Sequence, residues 1–595
     1  MTLSVESTPQ NLQLIGGEML VWTDNEPAEG RLAVGGGAVE ELLRGLVRPG
    51  GRALIAGPHD RRLIELLDTA SMQLTCVVRA YPDAAELAEA FPRMQVLCGS
   101  IAKIEVEEPF DLVLALDGAE RLVSAEGVAM SWRDTVGVLR RAVHVGGTLV
   151  FGQENLLGVH RLVRMSPWYG EHSSADWTPV GEYDETRPNS PADLNAKLGE
   201  LGLEVHQRYL GFATPAEPTV LFTDDLATDP DLNQFLRVAV SAACGAQFAG
   251  VPVLSDPRAL ATSALRAGAG ATVAPVWVVV AGNNAVPRTG SRVLVSEPST
   301  DPWPIRYEVT RQDGTWSRRV LGDARTTSRD MLRRDPAALA GPLPAGQLLE
   351  ECLVDLCLRR DLPELARLLT RYAGWLADGA DQDGQLRDAM LYATTGDVLV
   401  GGDGFDLWDR TWFTTSQAPV GVALARSLRV FTVKLITGGY SHPWPTTADA
   451  DSLTVILSGL AGHPLERPEL TAAIELEVQL RAAQRGLDGP AREQLRDVLA
   501  TVTSGTPLVD LDSHRELRMA LDRMADELVH AQARTAWAEE LLTSREKALR
   551  NAEAKLDVLS GSLTYRIGRL IMMPLRVLKR AAKAVLARTS NERSV

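Results

Sequence analysis

Short apolar runs bounded by Gly, Pro and Asp recur through the first 225 residues, at 53–57, 74–79, 95–98, 112–117 and 147–152. Between them the apolar positions fall at helical spacing over 61–68, 84–91 and 131–143. Continuous short runs read as strands buried on both faces. Their alternation with helices predicts a parallel sheet covered on both sides. After the fifth run the pattern changes. Two strand-like stretches, 203–212 and 219–223, are separated by a short Pro-containing turn. That turn leaves no room for a crossover helix, so the pair reads as an antiparallel hairpin.

The middle of the chain reads differently. A helical stretch at 232–249 precedes four strand candidates, 276–281, 292–297, 306–311 and 315–321. The last two flank Asp313-Gly314, a strong hairpin signal. Helices then dominate, at 346–357, 362–377 and 418–437. From Leu517 to Leu563 a core position recurs at alternating spacings of four and three, and all but Thr535 and Arg545 are apolar, counting Ala. This is a heptad pattern. A helix of that span reaches about 70 Å. So narrow a stripe predicts self-association or a partner coil, with a helix folded back on the globular body as the alternative.

The boundaries expected are an N-terminal extension (1–34), a first α/β domain (35–225), an α+β region (226–345), a mainly helical region (346–505), a coiled coil (513–563) and a tail (564–595). A chain of 595 residues needs several such cores. No apolar run reaches the length of a membrane span. The opening Met-Thr-Leu-Ser-Val-Glu-Ser lacks a signal pattern, so a cytoplasmic protein is expected. The five cysteines are scattered and none forms a CxxC pair, which argues against a structural zinc site or a disulfide framework. A net charge of −16 argues against general nucleic-acid binding. The tail departs from that balance. Residues 564–588 mix Ile567, Leu570 and Leu578 with Arg566, Arg569 and Lys583 and carry no acid. Pro574 divides them into two short helices. Such a segment suits an anionic membrane surface, with a protein partner as the alternative.

Five alternating strands followed by a hairpin resemble the class I S-adenosylmethionine-dependent methyltransferases over about residues 35–225. Pro109-Phe110-Asp111-Leu112-Val113-Leu114-Ala115-Leu116-Asp117 resembles that family's fourth strand, with Ala119-Glu120-Arg121-Leu122 after it. Val145-Gly146-Gly147-Thr148-Leu149-Val150 resembles the Gly-Gly entry to its fifth strand. The resemblance implies a Rossmann-like seven-strand α/β sheet and S-adenosyl-L-methionine as cofactor. By position it implies cofactor contacts at Gly57, His59, Asp83, Gly99, Ser100 and Asp117. Two departures stand out. The first turn, Gly57-Pro58-His59-Asp60, lacks the usual run of glycines, and Arg79 stands where an acid usually holds the ribose. Gly57 also reads as a plain turn glycine and Asp83 as a helix cap.

Methyl transfer to a hydroxyl calls for a base near the acceptor. Glu154 and His160, just past the fifth strand, are the candidates. The loop 168–188, with Trp168, Tyr169, Asp176, Trp177 and Tyr183, has the composition of a sugar-binding loop and equally of a surface loop packing its tryptophans. Residues 396–412 resemble the catalytic and metal loops of kinase-like phosphotransferases, with Asp397 where an Asn would stand and Asp409 at the position of the metal-binding Asp. Tyr392 stands in place of the base and Arg318 in place of the strand lysine. A degenerate kinase-like region or a plain hairpin with a solvated acidic turn both fit, the hairpin better. The ends of several bacterial surface-polysaccharide glycosyltransferases and methyltransferases resemble residues 562–570. The expected function is therefore methyl transfer to a glycan or nucleotide-sugar hydroxyl in surface-polysaccharide assembly, peripheral to the membrane. The alternative is a non-catalytic scaffold that recruits glycan-synthesis enzymes through its coil.

Overall fold

The structure, a computed structural model, describes residues 9–25, 32–70, 72–163, 184–248, 253, 255–283, 290, 292–297, 302–323, 325–402, 404–445, 448–500 and 514–561, with parts of 567–583. It divides into two compact units, Met1–Met519 and Ala520–Val595.

The first unit is built on one thirteen-stranded sheet. Twelve of its strands are β1 Leu12–Gly16, β2 Arg52–Ala56, β3 Gln73–Val78, β4 Gln95–Gly99, β5 Phe110–Ala115, β6 Val143–Glu154, β7 Glu204–Ala213, β8 Pro218–Thr223, β9 Val276–Gly282, β10 Val293–Ser296, β11 Arg306–Gln312 and β12 Thr315–Val320. Their order is β1-β4-β3-β2-β5-β6-β9-β7-β8-β10-β11-β12, closed by the short strand Gly341–Pro342. The pairings from β1 to β6 are parallel. Those from β6 onward are antiparallel.

Helices cover both faces. On one side α1 (Gly37–Arg44), α2 (Arg61–Thr69) and α3 (Tyr81–Ala90) bury Val39, Leu42, Ile64 and Leu67 against Ile55, Leu114 and Val278. On the other, α4 (Trp132–Ala142), α5 (Pro191–Glu200) and α6 (Asn233–Gln247) bury Trp132, Leu139, Leu194 and Leu236 against Leu54, Val113 and Val279. Neighbouring strand residues face opposite cores, so the parallel strands must be apolar throughout.

Three expectations need correction. Among the described residues the sheet has thirteen strands, where seven were expected. The hairpin of β7 and β8 forms as expected, but β8 lies on the far side of β7. The place between β6 and β7 is taken by β9, antiparallel to both, with Val150 opposite Val280 and Tyr209 opposite Val278. All seven residues of β9 are buried. Residues 35–225 and 226–345 therefore share one sheet, and the boundary expected at 225 separates no cores. The N-terminal segment is also part of this body, because β1 pairs in parallel with β4 at the sheet edge.

Residues 349–500 add a mainly helical layer with its own core around Leu353, Leu369, Tyr372, Leu428 and Phe431. The stretch 398–407 forms a hairpin, Val398–Gly401 against Gly404–Leu407. One helix, His514–Gly561, runs across most of the heptad region, and all of it from Ala520 on belongs to the second unit.

Candidate active site

The parallel strands all end on one edge, where a sheet of this kind presents its ligand site. The turn after β2 sits in the middle of that edge. Gly57 takes φ +90°, a region that glycine enters without strain, and its N–H donates to Val77 O at 2.9 Å. The His59 ring is buried. Its Nδ1 lies 3.0 Å from Gly57 O, and Leu116 N–H donates to Nε2 at 3.2 Å. Those partners assign the proton to Nδ1 and leave the imidazole neutral. Burial pushes its pKa down to about 4. Asp60 caps α2 by accepting from Arg62 N–H at 2.8 Å.

The chain's own N-terminal segment closes over this edge. Arg79, just past β3, donates through Nε and Nη2 to both carboxylate oxygens of Asp24, each at 2.7 Å, and through Nη1 to Val123 O at 2.8 Å. Both side chains are almost fully buried. Burial works against the Asp24 charge, but the Arg79 hydrogen bonds and charge prevail and lower its pKa. Arg121 grips Asp117 with two bonds, at 2.7 and 2.6 Å, and reaches Asp24 O and Leu32 O. Asp83 accepts from Thr23 Oγ1 and, at 2.7 Å, from Asp24 N–H. Burial raises the Asp83 pKa.

Gly57, His59, Asp83 and Asp117 thus gather around one network. Gly99 and Ser100 sit apart from it, under the end of β1. A Cβ on Gly99 would come within 2.6 Å of Gly16 O, and Ser100 N–H donates to that oxygen at 3.0 Å. Beside the turn opens a cleft of about 560 Å³. Gly35, Glu40, His59, Asp60, Asp83 and Glu86 are among its walls.

A second polar cluster lies at the ends of β5 and β6. His160 Nε2 is 2.8 Å from Glu154 Oε1, and Arg161 Nε donates to the same oxygen at 2.8 Å. Burial alone would neutralise Glu154. The His160 hydrogen bond and the Arg161 charge instead hold its pKa well below the usual range. His160 Nδ1 is buried and has no partner among the described residues. Close by, Arg187 pairs with Glu120 at 2.9 Å, and Trp132 Nε1 donates to Gln153 at 2.7 Å.

Most of the aromatic loop lies outside the described residues. Of its described part, Asp184 accepts the N–H of Trp132 at 2.5 Å, at the start of α4. Asp397 and Asp409 both line a separate cavity of about 360 Å³. Asp409 pairs there with Arg334 at 3.2 Å. Among the described residues no cluster of His, Cys, Asp and Glu suits a metal ion. No described helix is long and apolar enough to cross a membrane.

Sequence reasoning missed Asp24, which lies 55 residues from Arg79 and carries no local signal. Arg79, Asp83 and Asp117 were visible in the sequence, and the i,i+4 spacing of Asp117 and Arg121 is a further local trace of this network.

No family model matches the chain, and no curated protein matches it. Among solved structures, it is similar to a TehB-like SAM-dependent methyltransferase from Corynebacterium glutamicum, at 14% identity and TM-score 0.21, over 32% of this chain and 87% of that one. It is similar to a SAM-dependent methyltransferase from Geobacter sulfurreducens in complex with S-adenosyl-L-homocysteine, at 15% identity and TM-score 0.20, over 42% and 89%. It is also similar to the CcbJ methyltransferase from Streptomyces caelestis, at 13% identity and TM-score 0.24, over 46% and 98%. At such identities and scores, function is left to this chain's own residues.

Proposed function

We propose that this protein is an S-adenosylmethionine-dependent methyltransferase whose acceptor is a hydroxyl of a sugar or surface glycan. The observation that carries the reading is the strand order. Parallel β4-β3-β2-β5-β6, followed by an antiparallel strand inserted before β7, is the arrangement of the class I methyltransferase sheet. It puts the Gly57 turn, Asp83 and Asp117 on one edge. Fold alone does not fix function, so the residues must be weighed.

They fit the cofactor in part. The cleft beside the turn has room for a nucleoside, and its wall carries Asp60, Asp83, Glu86 and Glu217 beside Arg61, Arg62 and the Arg306–Glu40 pair, an acidic excess that suits a ligand carrying a sulfonium and an ammonium. When bound, the cofactor would supply an electrophilic methyl group. The end of β3 does not fit the family pattern, because Arg79 offers no acceptor for ribose hydroxyls and is closed by Asp24.

On the acceptor side, Glu154 orients His160. Glu154 Oε1 lies 2.8 Å from His160 Nε2 and holds the ring, and the buried Nδ1, which has no partner among the described residues, is the atom that would serve as base once an acceptor hydroxyl opens a path to it from the ends of β5 and β6. A base so placed contributes on the order of 10²–10⁴ in rate. The exposed heptad helix and the basic tail suit a protein gathered with others at a membrane surface.

A second reading is favoured by one observation, the closure of Asp24 on Arg79 and Arg121. If that closure is permanent, the sheet is a scaffold without catalysis. Isothermal titration of the full chain with S-adenosylmethionine separates the two. The enzyme reading expects saturable heat at micromolar ligand that Asp83→Ala weakens about tenfold, the loss of one charged contact. Absence of heat at high micromolar protein would leave the scaffold.

A further inference from the structure

The long helix His514–Gly561 has a narrow seam of large, exposed apolar side chains. Leu528, Leu542 and Leu549 are 59%, 62% and 61% exposed. Between residues 528 and 552 the two classes of core position are unequal. The a positions 528, 542 and 549 carry Leu, and Thr535 is the one polar residue of that class. The d positions 531, 538 and 552 carry Ala, and Arg545 is the one polar residue of that class.

We infer that this helix pairs with a second copy of the chain, and that the two helices run antiparallel. In a parallel pair, a faces a and d faces d. Arg545 would then face the partner's Arg545 in the seam, and Ala531, Ala538 and Ala552 would each face another alanine. Such a seam has like charges at its core and gaps beside it. In an antiparallel pair, a faces d. With the helices in full overlap, Leu528 meets the partner's Ala552, Leu549 meets the partner's Ala531 and Leu542 meets the partner's Ala538. In these three central layers each large side chain faces a small one, which fills the middle of the seam evenly, while the same register sets Met524 against the partner's Leu556 nearer the ends. Arg545 meets the partner's Thr535, so the two polar positions coincide and the arginines separate. At the two-fold axis, Leu541 meets the partner's Leu541 and extends the apolar strip. Glu539 meets the partner's Glu539 there, but outside the seam, where water screens the pair.

The pairing is independent of the methyltransferase reading, and its test uses the full chain. Ala531→Cys and Leu549→Cys are made singly, co-expressed, and oxidised mildly beside the wild type. The co-expressed pair is expected to give cross-linked dimer at least about tenfold above either variant alone, since only facing positions approach disulfide distance. A spin label at residue 549 reports on the wild-type seam. In the antiparallel pair the two labels stand about 27 Å apart along the axis, and in the parallel pair they are adjacent. Self-cross-linking of either single variant, adjacent labels, or a monomer by light scattering at tens of micromolar would each overturn the inference.

Discussion

At the scale of single residues, the edge of the sheet is governed by where charge is permitted. His59 is held neutral because burial removes water from the ring and both nitrogens already have partners. Its pKa is about 4 folded against about 6.5 unfolded, so the unfolded chain binds the extra proton between those values. The group's contribution is therefore complete above pH 6.5 and is lost as pH falls toward 4. The loss amounts to about 3 kcal/mol. Urea denaturation at pH 7 and pH 4.5 should show this slope in the wild type and a shallower one in His59→Gln. An equal slope in both would place the acid sensitivity elsewhere. Arg79 and Asp24 follow the same logic with opposite charges, since each is tolerated in the interior only because the other is there.

At the scale of elements, the packing of β5 against β6 is the tightest constraint on the edge. A Cβ at Gly152 would stand 1.9 Å from Leu116 O, so no side chain fits there without parting the two strands. Gly152→Ala is expected to destabilise the first unit by about 3 kcal/mol or more, seen as a lower urea midpoint with unchanged slope. A variant as stable as the wild type would show that the strands separate freely. Insertion of β9 adds the complementary constraint. Because β9 is hydrogen-bonded on both sides, it ties residues 276–282 to a sheet that begins before residue 60.

At the scale of the whole molecule, that tie removes the apparent boundary at residue 225. A chain ending at 225 lacks β9 and leaves the facing edges of β6 and β7 unpaired, a template for aggregation. A chain ending at 505 keeps the sheet and the helical layer while losing the heptad helix. Size-exclusion chromatography should find the shorter piece aggregated and the longer one folded, with a single urea transition for its sheet. A monodisperse, folded 1–225 fragment would contradict this account.

The sequence by itself determined the elements. Runs such as Leu54–Ile55 and Val113–Leu114, the Asp313-Gly314 turn and the heptad spacing report local conformational preference and burial, which depend on neighbours in the chain. It also located the Gly57 turn, because a turn's place follows from the strand before it. The tertiary structure alone decided which strand joins which. The runs at 219–223 and 276–281 both read as buried strands, and an apolar run does not name its partner, so the choice of β9 over β8 rests on contacts far apart in sequence. The same holds at the edge. Arg79 was visible as a departure from the family pattern, but the carboxylate that neutralises it comes from Asp24, brought there only when β1 joins β4 and the chain turns back across the strand ends.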